Sequence, residues 1–297
     1  MGISQKIRNW KSEHESLIRE FRYTLYLIKK SPLTLTGFIL TSAYISIAIF
    51  GPFFVEDAIY KMDLTNRLQP PSFTHPFGTD DLGRDIFSRV IYGFRISLIV
   101  GLTVLSIAVC LGVALGLFAG YFGGVIGEVT MRVTDIFLAF PSIVLALALA
   151  AALGRGLISA ILSLALTWWP WYTRLIYGQV LSLRERPYVE ASKAIGASDL
   201  HIIFRHILPN CIGPVIVNAS MDFGFAILAT ASLGFLGIGA QPPQPEWGLM
   251  VSIGARYIMD NWWYATFPGL AIAITVLSWN LLGDGLRDVL DPRHRRS

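Results

Sequence analysis

Asp222 is the acid best placed for chemistry in this sequence, because it stands at the edge of a long apolar run, Phe223 to Pro245, with an apolar lead-in from Ile207. A carboxylate within a membrane span costs about 2.5–3.5 kcal/mol on insertion scales, so such a group faces a protein interior or a watered path. Two readings follow for Asp222: a side chain lining a solute path and meeting a cationic amine, or a hydrogen-bonded packing residue. An aspartyl protease would need a second facing acid, but Asp135 and Asp284 fall at span ends. The five histidines, His14, His75, His201, His206 and His294, all lie outside the apolar runs. That placement disfavours an intramembrane metal or haem centre, and it leaves no buried general base for a serine hydrolase. No catalytic residue and no metal site is therefore expected.

Hydrolysis of ATP needs a glycine-rich loop ending in Gly-Lys, where backbone N–H groups and the lysine hold the phosphates. None of the six lysines follows a glycine. Any ATP hydrolysis coupled to this chain belongs to another subunit. Asp80, Asp81 and Asp85 invite a cation reading, but they lack the glycine pattern of a calcium loop. A helix N-terminus favoured by Thr79 and the acids after it, with Arg84 and Arg89 further along, is the simpler account. Cys110 and Cys211, in apolar surroundings, read as packing residues.

Between the fourth and fifth apolar runs, the segment from Tyr188 to Pro209 reads as two short helices. Gly196 ends the first by taking a left-handed conformation, Ser198 or Asp199 caps the second, and Pro209 stops it. The first helix presents small residues, Ala191, Ser192 and Ala194, beside Glu190, a surface that another protein can approach closely. Composition alone would equally allow an ordinary interfacial hairpin.

The elements that must position these residues follow from the charges. Of 297 residues, 54% are hydrophobic and 15% charged, with a mean hydropathy of +0.55, against about 25% charged in a soluble domain. A soluble enzyme and a disordered chain are both excluded. Six runs lack Asp, Glu, Lys and Arg: Ser31 to Val55, Ile96 to Gly127, Ile136 to Gly154, Gly156 to Thr173, Phe223 to Pro245 and Trp262 to Gly283. About 20 apolar residues cross a bilayer as a helix, and continuous rather than alternating runs disfavour a β-barrel. The expectation is an all-α polytopic membrane protein with six transmembrane helices. Arg155 between two glycines makes a tight reversal between the third and fourth. The expected parts are a tail 1–30, a first helix 31–55, an external loop 56–95, a five-helix core 96–283 with an inner loop 187–209, and a tail 284–297. No small-residue cleavage site is seen before the first run, so no signal peptide is expected.

With both termini inside, 17 of the 24 basic residues fall on inner segments and 7 on outer ones, as the positive-inside rule requires. The net charge of +4 thus reflects topology and not a nucleic-acid partner. Trp168 with Trp169 and Trp262 with Trp263 are expected at membrane interfaces.

Glu190-Ala191-Ser192, Gly196 and Leu208-Pro209 resemble, in kind and spacing, the E-A-A, G, I-x-L-P signature of binding-protein-dependent ABC importer permeases. Ser192 departs from the second alanine, and His206 stands at the usual isoleucine position. The segment Phe77-Gly78-Thr79-Asp80-Asp81-Leu82-Gly83-Arg84-Asp85 narrows the resemblance to the second permease subunit of dipeptide, oligopeptide and nickel importers. Met131 to Asp135, Gly239 to Pro243 with Glu246-Trp247-Gly248, and Gly283 to Asp288 with Asp291-Pro292 are similar to the same group.

The resemblance implies a type I ABC importer permease fold in a bacterial cytoplasmic membrane. It implies a homologous permease as heterodimer partner, two ATP-binding cassette ATPase subunits carrying ATP and Mg, and an external solute-binding protein. No cofactor is implied on this chain. Glu190, Ala191, Ser192, Gly196, Leu208 and Pro209 would couple it to the ATPases. Gly78, Thr79, Asp80, Gly83, Arg84 and Asp85 would form an external loop motif, and the segment Gln241 to Gly248 either a rigid outer platform or a turn into the last span. The solute would be a peptide or similar small molecule. Among readings independent of the resemblance, a proton-coupled secondary carrier acting alone, with Asp222 as proton site, is the alternative.

Overall fold

A computed structural model of the chain describes residues 31–290. The tail 1–30 and residues 291–297 lie outside the described residues, and with them His14, His294, Asp291-Pro292, the basic residues of the first tail, and Arg293, Arg295 and Arg296. Among the described residues there is no β-strand, and Thr79 and Asp85 form an isolated antiparallel bridge.

Helix α1 is Pro32–Phe50, and a short α2, Pro52–Val55, continues it after Gly51. Ser31 caps α1 by accepting from the Thr34 N–H, and Pro32 supplies a preset first turn. Its buried residues, Thr34, Gly37, Thr41, Tyr44 and Ala48, recur at three- and four-residue spacing and form one stripe. That stripe packs on α11, Trp263–Leu290, where the Thr41 hydroxyl donates to the Ser278 carbonyl at 3.1 Å.

Helix α3, Ile86–Phe122, begins ten residues before the expected Ile96. At about 1.5 Å per residue it reaches about 55 Å, well beyond a 30 Å hydrocarbon layer. The charge-free run starts later than the helix because exposed Arg95, and before it Arg89, buried 3.7 Å from Asp80, both lie within the helix. Helix α4, Gly124–Leu138, and α5, Ser142–Leu153, meet at a 90° break. The expected single helix from Ile136 is therefore broken at Ala139-Phe140-Pro141, since the residue before a proline is pushed out of helical geometry. The three-residue turn Gly154 to Gly156, both glycines at positive φ, leads into α6, Leu157–Arg184. Helix α6 runs eleven residues past the expected Thr173.

After two short helices comes α9, Leu208–Phe235. This corrects the span expected over Phe223 to Pro245. Pro209 sits in the first turn of α9, where a missing N–H is tolerated. Residues 236–246 form the loop that follows it, and α10, Trp247–Gly254, packs beside α11.

Among the described residues four helices, Pro32–Phe50, Ile86–Phe122, Asp199–Phe235 and Trp263–Asp288, are long and apolar enough to cross a membrane, and the bent pair α4 and α5, counted as one span, makes a fifth. The expected count of six is not reached on those criteria. The run Trp168-Trp169-Pro170-Trp171-Tyr172 lowers the hydropathy of α6.

The most extensive helix contact joins α3 to α6. Gly112, Gly116 and Gly120, one turn apart on α3, lie against Tyr172 and the Trp169 carbonyl, the Thr173 carbonyl and Ile176, and Val180 of α6. Lipid tails are as apolar as side chains, so helices in a bilayer gain chiefly from such close packing. A Cβ on Gly116 would stand 2.7 Å from the Thr173 carbonyl oxygen. Gly116→Leu is expected to destabilise the folded protein by at least about 1–3 kcal/mol. Gly178→Ala, where no atom lies within 4 Å of the new Cβ, should leave the melting temperature in detergent unchanged. Equal melting temperatures for Gly116→Leu and the parent protein would refute this packing role.

Candidate functional site

Three groups of residues carry the features singled out in the sequence. The first is the segment between α6 and α9. Helix α7, Pro187–Ala194, starts on a proline at its first position. It ends in a Schellman motif: Gly196, at φ +83°, donates to the Lys193 carbonyl at 2.9 Å, and the Ala197 N–H donates to the Ser192 carbonyl at 3.1 Å. Ser198 caps the next helix, α8, Asp199–Ile202. This second helix does not stop before Pro209, as expected. A wider π-helical turn, Ile203–Ile207, carries it directly into α9.

The segment is fixed on one side and bare on the other. Val189, Ile202, Ile203 and Ile207 are fully buried with Tyr121 of α3 and Ile176 and Val180 of α6. The Tyr121 hydroxyl donates to Asp199 at 2.6 Å, Lys193 Nζ lies 4.9 Å from the Tyr121 ring centre, and Arg184 donates to the Gly120 carbonyl at 3.0 Å. Glu190, Ala191, Ala194 and Pro209 are exposed, as are Ile195, Leu200 and Phe204; Ser192 and Leu208 are half-buried. Ser192 and His206, the two departures from the expected signature, lie together, with the serine hydroxyl 3.4 Å from His206 Nε2.

The second group is a pocket of about 430 Å³ between the α4/α5 break, α6 and α9, lined by Phe140, Trp168, Trp171, Tyr172, Asp222 and Phe225 among others. The Tyr172 hydroxyl donates to Asp222 Oδ2 at 2.6 Å. Asp222 is half-buried, and Phe140, Trp171 and Phe225 are exposed. Arg174 pairs with Asp135 between α6 and α4, close along both helices to the pocket residues Tyr172 and Leu138. The aromatic residues of the pocket are what the sequence reading missed. Trp168 and Trp169 were expected at an interface, yet Trp169 is buried and Trp168 lines the pocket. Trp263 is likewise buried, and only Trp262 of its pair is exposed. The usable signal was a cluster of rings and a proline in the interior of an otherwise aliphatic helix.

The third group is the outer loop. Asp80 accepts from the backbone N–H groups of Leu82 and Arg84, both at 2.9 Å, and from Arg84 Nε at 2.6 Å. Both residues are buried. Arg89 donates to the carbonyls of Ile59 and Pro243, and Tyr264 of α11 donates to Asp81 at 2.8 Å. Asp85, not Thr79, caps α3, accepting from the Ser88 N–H at 2.7 Å. This corrects the expected N-terminus: the Thr79 hydroxyl instead donates to the Asn66 carbonyl and accepts from the Gln69 N–H. Gly78 and Gly83 both adopt positive φ. Hydrogen bonds thus tie Gly78, Thr79, Asp80, Gly83, Arg84 and Asp85 into one knot. Glu246 caps α10 with both oxygens, accepting from Gly248 and Leu249 at 2.8 Å. Trp247 behind it donates to the Val90 carbonyl.

Residues 112–296 match the family described as binding-protein-dependent transport system inner membrane component. The chain is 46% identical over 289 residues to the probable D,D-dipeptide transport system permease protein DdpC of Escherichia coli K12, covering 95% of this chain and 97% of that one. It is 46% identical to the dipeptide transport system permease protein DppC of Alkalihalophilus pseudofirmus, over 93% of this chain and 91% of that one. A chain of the MetNI methionine ABC transporter in an inward-facing conformation superposes with a TM-score of 0.55 at 21% identity, over 69% of this chain and 97% of that one; this likeness concerns the fold.

Glu246 has a measurable consequence. Burial pushes its carboxyl up to about 7 from an ordinary 4.5, against the two backbone hydrogen bonds that favour the charged form. The folded state then holds a proton that the unfolded state has lost, so this group's stabilisation is full below about pH 4.5 and is gone by about pH 7. The melting temperature of Glu246→Gln relative to the parent protein is expected to rise as pH goes from 4.5 to 7. A difference that stays constant across that window would contradict the assignment.

Proposed function

The chain belongs to the family of binding-protein-dependent transport system inner membrane components, and from that premise we propose that it is the permease subunit of an ATP-driven importer of di- or oligopeptides. Its curated relatives are permeases of dipeptide and peptide transport systems. That kinship sets aside a proton-coupled carrier acting alone. The partners in this reading are a homologous permease in a heterodimer, two ATPase subunits carrying Mg and ATP, and an external solute-binding protein. Both termini face the cytoplasm of a bacterial cell, and the chain itself performs no catalysis. The pocket at Asp222 belongs to the solute path.

The observation that carries the reading is the two-sidedness of the segment from Pro187 to Pro209. One side is locked into α3 and α6 through Val189, Ile203, Ile207 and the Tyr121 contacts. The other offers an acid, alanines and exposed apolar side chains to a docking protein. A push on α7 cannot be absorbed locally, because its C-terminal cap is closed and its buried residue, Val189, is packed. It passes to α6, whose Tyr172 and Trp171 line the Asp222 pocket. Closure of the ATPases on ATP thereby becomes a movement of the path.

Glu190 meets a basic group of an ATPase subunit in this scheme, a hydrogen-bonded charged contact worth about 1.5–3 kcal/mol. In proteoliposomes holding the assembled system, Glu190→Arg is expected to lower ATP-dependent peptide uptake by about tenfold or more. The spans of the variant should still assemble, with an unchanged melting temperature. Uptake equal to that of the parent system would remove Glu190 from the coupling role, and failure of the parent chain to copurify with an ATPase would remove the functional reading.

A further inference from the structure

We propose that the Asp222 pocket binds a protonated amine, the terminal ammonium group of the solute, between one carboxylate and a set of aromatic rings. This rests on the reading of the pocket as part of the solute path. The geometry supplies each part of such a site. The Tyr172 hydroxyl donates to one oxygen of Asp222, at 2.6 Å, and so anchors that oxygen. Among the described residues no donor reaches Oδ1, which leaves it free for an ammonium N–H. No Lys, Arg or His lines the pocket, so nothing competes with an incoming cation for Asp222. Arg174, a short way along α6, is already paired with Asp135.

The rings act in the same direction. Trp168, Trp171, Tyr172, Phe140 and Phe225 share the pocket with the carboxylate. An aromatic face attracts a cation by about 0.5–1 kcal/mol at an exposed site and by about 2 kcal/mol or more when desolvated, while a solute carboxylate would meet like charge at Asp222 and finds no basic partner. The volume, about 430 Å³, lies within the range of small-molecule sites, roughly 300–1,000 Å³. A peptide would thus enter with its amino end held at Asp222 and its acid end pointing away. The site discriminates by charge at one end of the solute and is indifferent to side chains beyond it.

The test uses the assembled permease and ATPase complex in detergent without the soluble binding protein, so that the latter's own selectivity is not measured. Binding of dialanine and of N-acetyl-dialanine is followed by saturation-transfer NMR. Dialanine is expected to bind at least tenfold more tightly than its acetylated form. Asp222→Asn should weaken dialanine at least tenfold and abolish the difference, and Asp222→Glu should restore part of it. Trp171→Leu, at an exposed ring, is expected to weaken dialanine several-fold and serves where the Asp222 variants do not fold. Equal binding of the two peptides, absence of dialanine binding, unchanged binding by Asp222→Asn, or unchanged binding by Trp171→Leu would each overturn the proposal. Failure of the importer reading shows separately, as loss of ATP-dependent uptake in a parent complex that still distinguishes the two peptides.

Discussion

The approach of α3 to α6 at backbone distance is the constraint on which the rest of the molecule depends. Three glycines one turn apart let the Thr173 carbonyl and the first atoms of Tyr172 and Val180 sit where side chains would otherwise stand. In water the hydrophobic effect would hold two such helices together loosely; in lipid that force is absent between them, and contact has to be intimate to be worth anything. Each helix then ties distant features into one body. At its two ends α3 bears the outer knot around Asp80 and the Tyr121 anchor of the inner segment. Helix α6 carries the pocket rings in its interior and runs out at Arg184 into α7.

The outer knot solves a different problem. Arg84 and Arg89 are both buried, and isolated buried charge is costly. Asp80 answers Arg84 directly, while Arg89 is met by carbonyls from two remote stretches of chain, Ile59 and Pro243. Because those donors and acceptors come from the first loop, the loop after α9 and α3, the knot fixes the relative positions of elements far apart in sequence. Removing one partner would strand the others, and a buried charge left without its partner is strongly destabilising.

Local features were legible in the sequence, and remote ones were not. Gly196 and Ser198 announced the end of one short helix and the start of the next because caps are decided by a few adjacent residues. Gaps in charge located α1 and the body of α11 for a similarly simple reason. The same rule failed at α3, where exposed Arg95 and buried Arg89 lie inside the helix, and at α9, where Asp222 lies mid-helix and not at its start. Partners from other parts of the fold meet Arg89 and Asp222, the Ile59 and Pro243 carbonyls at the first and the Tyr172 hydroxyl at the second. The pocket was half visible: Asp222 stood out by its setting, but its ring of aromatic neighbours depends on how three segments meet. Likewise the contact between Ser192 and His206 joins two departures from the signature that look unrelated along the chain.

The break at Ala139-Phe140-Pro141 bears on what can lie against this face of the protein. A helix bent through 90° leaves peptide groups without their intrahelical partners, and hydrocarbon offers none; such backbone is tolerated within a bilayer only against protein or water. Its neighbour is the pocket with the half-buried carboxylate of Asp222. A face that carries both is one that lipid tails solvate poorly.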